Sequence, residues 1–331
     1  AVLNLILKSL NTDDLSSVCE NEDISPQDLA TLRDIFIEAG SAAVRNSVVT
    51  APWLQVNVTL KDQETSGSQF RKSLLERIRH WKKNGILKEF CYVHKLPGIR
   101  LRFLGDSGTL FPEIFAAFQR FADEELIEKW SHGHYDAEPY QFGGSLGNQI
   151  AHRFFSAESL AVLEYQQLRS QSATTIEPAV FSLLLLELLL QAATGDVWAR
   201  WDVWQRMELT GRTMNLSDEH RNEMIRLSLP ARQILSGLLS DPFPTIEKMT
   251  EQERQIFRDY LTELPLIIVD LQHAHEHGNL LWGMREILPF WIIFHWNRMM
   301  FDLQEQQRLT FLMTELLSPH HSDGSQSIQR L

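Results

Sequence analysis

A chain of 331 residues that is 44% hydrophobic and 22% charged carries ample apolar material for a packed core, which excludes a disordered polyelectrolyte. Its formal charge of -12 excludes general nucleic-acid binding, because phosphate neutralisation needs a basic footprint. The two cysteines, Cys19 and Cys91, stand in unrelated contexts without zinc spacing, which excludes a disulfide framework and fits a reducing cytoplasm.

Leu3, Leu5, Ile6 and Leu10 keep helical spacing, and Ser25-Pro26-Gln27-Asp28 reads as an N-cap followed by proline in the first turn. These signals predict a helical segment over residues 1–46. The stretch from Leu3 to Leu10 holds Lys8 and lacks a small-residue cleavage site, so it does not read as a signal peptide. From Pro52 to Leu60, apolar Trp53, Leu54, Val56, Val58 and Leu60 alternate with polar residues, the pattern of a half-buried strand. Asp62 to Ser68 reads as a loop and Ser68 to Lys83 as a basic amphipathic helix. Glu89 to His94 and Ile99 to Leu104 read as paired strands joined through Pro97-Gly98, with a helix from Phe111 to Glu128 laid on the sheet.

After Gly143-Gly144 the pattern turns helical, with a start at Glu177-Pro178 and breaks at Gly195, Ser228 to Pro230 and Pro242 to Pro244. The apolar run Ala179 to Leu190 includes Ser182 and Glu187 and falls short of the roughly 20 residues needed to cross a bilayer, so it reads as a buried helix. The polar tail from Ser318 to Leu331, with His320-His321, reads as disordered. The expected fold is α+β: an antiparallel or mixed sheet with packed helices in the first half, and a mostly helical second half. The expected organisation is a helical segment over 1–46, one domain over 47–317 and the tail. The many apolar helical faces are compatible with a homodimer.

Chemistry concentrates in a few places. Arg100 and Arg102 alternate along a strand and therefore share a face. Two guanidiniums on one face must meet carboxylates, carbonyl oxygens or developing negative charge, so this face either lines a site or forms a salt-bridged interior. Ten basic residues, Arg71, Lys72, Arg77, Arg79, Lys82, Lys83, Lys88, Lys95, Arg100 and Arg102, face only Glu76 and Glu89 in the same stretch. That island is either a solvated helix face or a surface that recruits an acidic peptide.

His273, His275 and His277 invite a metal, but on a helix only 273 and 277 share a face and no further ligand is placed, which favours an exposed histidine cluster. Gly143-Gly144-Ser145-Leu146-Gly147-Asn148 lacks the lysine of a phosphate loop and reads as a tight turn delivering Glu138 and Tyr140 toward the two arginines. Trp282, Trp291, His295, Trp296, Asn297 and Arg298 crowd one apolar helix, where His295 and Arg298, three apart, must be satisfied or line a cavity. Motifs for serine, zinc or cysteine hydrolases and for kinases are absent from the sequence.

Four separated segments then combine. Phe90-Cys91-Tyr92-Val93-His94 followed by Gly98-Ile99-Arg100-Leu101-Arg102-Phe103 resembles the FFIRY and PHLRLRF signature of the lantibiotic dehydratase C-terminal family, also called thiopeptide-type bacteriocin biosynthesis proteins. Tyr135-Asp136-Ala137-Glu138-Pro139-Tyr140-Gln141-Phe142-Gly143-Gly144 is similar to its YxPExxRYGG element. Phe155-Ser156-Ala157-Glu158-Ser159 is similar to its FxxDS segment, and His295-Trp296-Asn297-Arg298 to its HxxxNR region. The elimination domains of that family remove glutamate from glutamylated Ser or Thr of a precursor peptide, leaving dehydroalanine or dehydrobutyrine. The resemblance casts Arg100 and Arg102 as carboxylate and oxyanion binders, with Glu138 nearby.

Two positions depart from the pattern: Gln141 stands where the family has arginine, and Ile293 where it has the first histidine. Standalone members of about this length resemble the thiopeptide pyridine synthases, which join two dehydroalanines by formal aza-[4+2] cycloaddition and then lose water and leader peptide. This resemblance implies a cofactor-free, metal-free cytoplasmic enzyme whose partner is a dehydrated precursor peptide, leader plus core. It implies Arg100, Arg102, Tyr135, Glu138, His295 and Arg298 as catalytic groups and Trp282, Trp291, Trp296 and Gln141 as the substrate floor. It also implies Arg71, Arg77, Arg79, Lys82 and Lys83 as leader-binding cations. Glutamate elimination as a split dehydratase component and a noncatalytic leader-binding scaffold are the alternatives.

Overall fold

The computed structural model describes residues 2–12, 14–20, 22–48, 53–61, 65–212, 217, 237 and 241–318. The chain divides into two compact units, Ala1–Pro52 and Trp53–Leu331. The first unit holds three helices, α1 (Val2–Ser9), α2 (Leu15–Cys19) and α3 (Pro26–Val48). Leu5, Ile6, Cys19 and Leu29 are its buried cluster. Ser25 caps α3, its hydroxyl accepting from the Asp28 amide at 3.1 Å, as the Ser-Pro signal anticipates.

The second unit begins with a four-stranded antiparallel sheet of order β2-β3-β1-β4, made of β1 (Leu54–Thr59), β2 (Leu87–Lys95), β3 (Gly98–Gly105) and β4 (Lys129–His134). Along β3 burial alternates strictly: Ile99, Leu101 and Phe103 are buried and the residues between them half-buried. The buried face joins Val56, Val58, Phe90 and Tyr92 under α4 (Thr65–Lys83) and α5 (Ser107–Asp123), whose Phe70, Ile78, Trp81, Ile114 and Phe118 complete this core. Between β2 and β3 only glycine fits at 98, since a Cβ there would stand 1.8 Å from the Val58 carbonyl oxygen.

The elements differ from expectation at three points. Residues 65–68 open α4 rather than extending the loop. Helix α5 starts at Ser107, where Asp106 accepts from the Thr109 amide at 2.9 Å, and it ends at Asp123 rather than Glu128. The chain then forms β4, an edge strand that no alternation announces because most of its side chains are exposed. The expected break at Ser228 to Pro230 and the tail from 319 onward lie outside the described residues.

The helical half is built on α6 (Ser145–Ser170) and α7 (Pro178–Thr194), followed by α8 (Val197–Met207), α9 (Phe243–Glu247), α10 (Glu251–Glu276), α11 (Met284–Arg298) and α12 (Leu303–Leu317). Helix α7 is apolar all round and correspondingly buried. Its one carboxylate, Glu187, pairs with Arg200 at 2.7 Å and accepts from the Trp204 indole at 3.3 Å. Among the described residues, no helix is long and apolar enough to cross a membrane.

The outer edge of β2 is sealed by helix side chains. Ser156 of α6 accepts from the Phe90 amide at 3.0 Å, and Arg298 of α11 donates to the Tyr92 carbonyl at 3.3 Å. Asn297 takes both groups of His94, accepting from its amide at 2.7 Å and donating to its carbonyl at 2.9 Å. Edge groups that would otherwise be left bare by burial are thus paired.

Candidate active site

The sheet face opposite the first core is polar. In the register, Arg100 lies between Asn57 of β1 and Val93 of β2, and Arg102 between Gln55 and Cys91. Gly133 of β4 lies opposite Gln55, and a Cβ there would come within 2.8 Å of the Asn57 amide nitrogen, so glycine leaves room for the two carboxamides. Above this face opens a cleft of about 370 Å³, walled by Arg100, Arg102, Lys95, Asp136, Glu138 and Asn297, with Val93, Ile293 and Phe294 as its apolar side.

Arg102 is held from two directions. Its Nε donates to Gln55 Oε1 at 3.3 Å, and Gln55 is itself oriented by a 3.1 Å bond to Asn57. Its guanidinium lies 4.2 Å from the centroid of the Tyr135 ring. The Tyr135 hydroxyl is 2.6 Å from His152 Nε2, and His152 Nδ1 is 2.6 Å from the Asn148 carbonyl oxygen. A carbonyl only accepts, so Nδ1 carries the hydrogen and Nε2 accepts the phenol proton. Burial pulls the His152 pKa down to about 4, opposed by the Asn148 carbonyl and aided by the positive fields of Arg102 and Arg298. Burial likewise raises the Tyr135 pKa. Both groups are therefore neutral near pH 7, a rigid platform under a permanent charge.

Among the described residues, neither Arg100 nor Arg102 takes part in an ion pair. The β1 residues beside them on the face, Asn57 and Gln55, are neutral carboxamides, so their charge is retained for what enters the cleft. Glu138 opens the turn 139–142 and accepts a hydrogen bond from Gln141. The turn is pinned from the other side: the Leu281 amide donates to the Gly143 carbonyl and the Trp282 indole to the Tyr140 carbonyl, both at 2.9 Å. Gly143, at φ 83°, makes the αL exit that this turn requires.

The other expected site residues are placed elsewhere. His295, Arg298, Trp291 and Trp296 are 0% exposed. His295 Nδ1 lies 2.6 Å from Glu158 Oε1 and its Nε2 2.8 Å from Ser182 Oγ. The Arg298 Nε donates to the other Glu158 oxygen, and its guanidinium lies 4.7 Å from the Phe155 ring centroid. Trp291 stacks on Phe154 at 4.6 Å, and the Trp296 indole donates to Ser182 at 3.2 Å. The expected catalytic pair and two of the three floor tryptophans thus belong to the packed interior, where Glu158 bonds both His295 and Arg298. Trp282 is partly exposed and fastens the Glu138 turn. Helix α11 reaches the cleft through Ile293, Phe294 and Asn297 instead.

The basic island also divides. Arg79 pairs with Glu164 at 2.5 Å, and Arg79 and Lys82 line a hollow that includes Glu164, Asp259 and Glu263. Arg77 is half-buried and Lys83 exposed, while Arg71 lies in a separate groove with Arg169. On α10 the His273 and His277 rings stack at 4.1 Å, and no convergent set of metal ligands occurs among the described residues.

Sequence reasoning missed Gln55, Asn57, His134, Asp136 and His152, and it read Lys95 as part of the basic island rather than of the cleft. The first two were signalled, as the polar positions of β1 that must share a face with the arginines. His152, an isolated histidine within a helix, carries no local signal.

Among curated protein sequences none matches this chain. In solved structures, the tRNA-dependent lantibiotic dehydratase MibB from Microbispora sp. 107891 shares 15% identity at a TM-score of 0.61, over 84% of this chain. This chain spans 29% of that dehydratase. The pyridine synthase TbtD from thiomuracin biosynthesis shares 13% identity at a TM-score of 0.52, over 82% of this chain and 99% of its own. TsrL shares 12% at a TM-score of 0.51, over 82% and 95%. At these identities the likeness is one of fold. The sequence profile of the lantibiotic biosynthesis dehydratase C-terminal family matches residues 53–317, which takes in the sheet, the cleft and every described helix from α4 to α12, and the chain belongs to that family.

Proposed function

We propose that this protein modifies a ribosomally synthesised peptide, and that its cleft joins two dehydroalanines by formal aza-[4+2] cycloaddition with loss of water and leader peptide. The observation that carries the reading is the pair of guanidiniums at Arg100 and Arg102, in no ion pair among the described residues and backed by the carboxamides of Asn57 and Gln55. Such donors polarise an amide carbonyl toward its iminol form, the tautomer that supplies the azadiene. The apolar side at Val93, Ile293 and Phe294 suits two alkenes, and holding both in one cleft supplies proximity that a free peptide lacks. Two carbon–carbon bonds form, water leaves from the former amide carbon, and the leader departs as its carboxamide. The sequence is redox-neutral, so it requires no cofactor. Asp136 and Glu138, on the wall, are the candidate acids for the departing groups.

A second reading, elimination of glutamate from a glutamylated serine, is favoured by the TM-score of 0.61 to the dehydratase. The same guanidiniums would accept the leaving carboxylate. Against it, Gln141 is neutral and engaged by Glu138, so a third guanidinium is missing.

Mass spectrometry of a leader-bearing peptide, offered once with two dehydroalanines and once with glutamylated serine, separates the readings. Leader release with a dehydrated macrocycle supports cycloaddition, and loss of glutamate supports elimination. Binding without turnover, insensitive to Arg100→Ala, supports a noncatalytic scaffold.

A further inference from the structure

The two carboxamides of β1 form a hydrogen-bond chain whose direction is fixed. A guanidinium only donates, so Arg102 Nε requires the oxygen of Gln55, and the bond to Oε1 is 3.3 Å long. The Gln55 amide nitrogen is thereby turned toward Asn57, where it donates to Oδ1 at 3.1 Å. Asn57 in consequence presents its Nδ2 at the free end of the chain. Among the described residues that nitrogen gives no hydrogen bond, although Asn57 is half-buried on the sheet.

The surroundings of this donor are open toward β4. A Cβ on Gly133 would stand 2.8 Å from Asn57 Nδ2 and 3.4 Å from the Gln55 nitrogen. Gly133 does not adopt a positive φ, so its lack of a side chain serves space rather than backbone conformation. Glycine inside a strand weakens it, and it marks places where a ligand or another backbone comes close. Ser131, the next β4 residue on this face, lies opposite Asn57 and is small and exposed. On its other side Asn57 pairs in register with Arg100. Gln55 lines the cleft, and Asn57 stands two residues further along β1, a step of about 6.6 Å.

We propose that Asn57 is a substrate-binding residue: its Nδ2 donates to a backbone carbonyl oxygen of an extended peptide that leaves the cleft over Gly133 and Ser131, in the row of Arg100. The identity of the ligand as a peptide rests on the peptide-modification reading. Its chemical class follows from the donor, since a neutral NH2 group recognises an acceptor oxygen whatever the charge of the peptide. Gly133 is the gap through which that oxygen reaches the amide.

Fluorescence anisotropy with the full chain tests it. The probe is the leader-bearing peptide with alanine in place of both dehydroalanines, labelled with fluorescein, together with analogues in which each peptide bond flanking the two alanines is replaced in turn by a neutral (E)-alkene. In the wild type one of these replacements is expected to weaken binding about three- to tenfold, the range of one neutral hydrogen bond. Asn57→Ala is expected to bind the intact probe as weakly as the wild type binds that analogue, and the same replacement to cause no further loss in the variant. Asn57→Asp, which keeps an acceptor for Gln55 and has no N–H to give, is expected to weaken the probe at least as much. Gly133→Ala is expected to weaken it without lowering Tm, because the added Cβ meets only the ends of two flexible side chains. Added salt is expected to leave the ratio between wild type and Asn57→Ala unchanged. Wild-type affinity in Asn57→Ala overturns the proposal, and so does an alkene effect that is as large in the variant as in the wild type at every bond. If the expected pattern is found while neither modified peptide is turned over, the Asn57 contact stands and the catalytic reading falls. If Asn57→Ala turns over the dehydrated peptide with the wild-type KM, the contact falls and the catalytic reading stands.

Discussion

Replacing His152 by glutamine tests the support of Arg102 and yields a number. His152 is 3% exposed, donates to Asn148 and accepts from Tyr135. Its pKa is about 4 in the fold against the ordinary histidine value of 6.5, so the unfolded chain takes up a proton in this range before the folded chain does. Stability from this group is therefore complete above pH 6.5 and falls as the pH drops toward 4. For one such histidine the loss between pH 7 and pH 5 is about 2 kcal/mol. His94, held down to about 4 by burial and by Arg71 and Arg298, adds a similar loss. Urea unfolding at the two pH values is thus expected to show a fall of about 4 kcal/mol from these two residues in the wild type, and about 2 kcal/mol less in His152→Gln, which keeps His94. At pH 7 the substitution itself costs about 1–2 kcal/mol, since the amide replaces only part of the bonding. If wild type and variant decline in parallel, His152 is not the neutral acceptor beneath Tyr135, and the account of how Arg102 is positioned fails.

Four further outcomes are expected. Glu158→Gln removes the charge that both His295 and Arg298 share in a fully buried site, and a loss of about 3–5 kcal/mol in thermal or chemical unfolding follows. Asn297→Ala frees both backbone groups of His94, costing about 1–3 kcal/mol and accelerating amide exchange at that end of β2. Arg100→Ala and Arg102→Ala keep the circular dichroism spectrum and lower turnover about a hundredfold or more; retained turnover would place the chemistry elsewhere. Gln141→Arg supplies a guanidinium beside Glu138, and is expected to raise glutamate loss from the glutamylated peptide measured by mass spectrometry.

The two cleft arginines were legible because period-two alternation assigns faces with no tertiary information, and β3 keeps it without a bulge. β4 was illegible for the complementary reason: at the sheet edge its main anchor is Trp130, packed 6.0 Å from Phe118, with little other burial to imprint a pattern. For His295 and Arg298 the sequence shows that an apolar helix must satisfy two polar groups, but their partner Glu158 lies 137 and 140 residues earlier on α6. Periodicity has no means of choosing between that partner and a cavity. The basic island misled by the same limit, since the carboxylates facing Arg79 and Lys82 come from α6 and α10.

The charged residues of the family motifs therefore divide into two sets with opposite electrostatic logic. Glu158 pairs with Arg298 and hydrogen-bonds His295 at zero exposure, and through Arg298 and its neighbour Asn297 this set fastens α11 to the edge of β2. That attachment sets where Ile293, Phe294 and Asn297 stand over the sheet, and so sets one wall of the cleft. Arg100 and Arg102 are the reverse case: the sheet sets carboxamides beside them and, at Arg102, a phenol and a histidine held neutral, while the carboxylates of the cleft wall, Asp136 and Glu138, form no ion pair with either guanidinium among the described residues. A site that retains positive charge in a half-buried position pays for it in stability, and recovers it only when a ligand brings negative charge or a strongly polarised oxygen. Two motifs of similar composition thus do different work, one fixing the frame and the other left unsatisfied for the substrate.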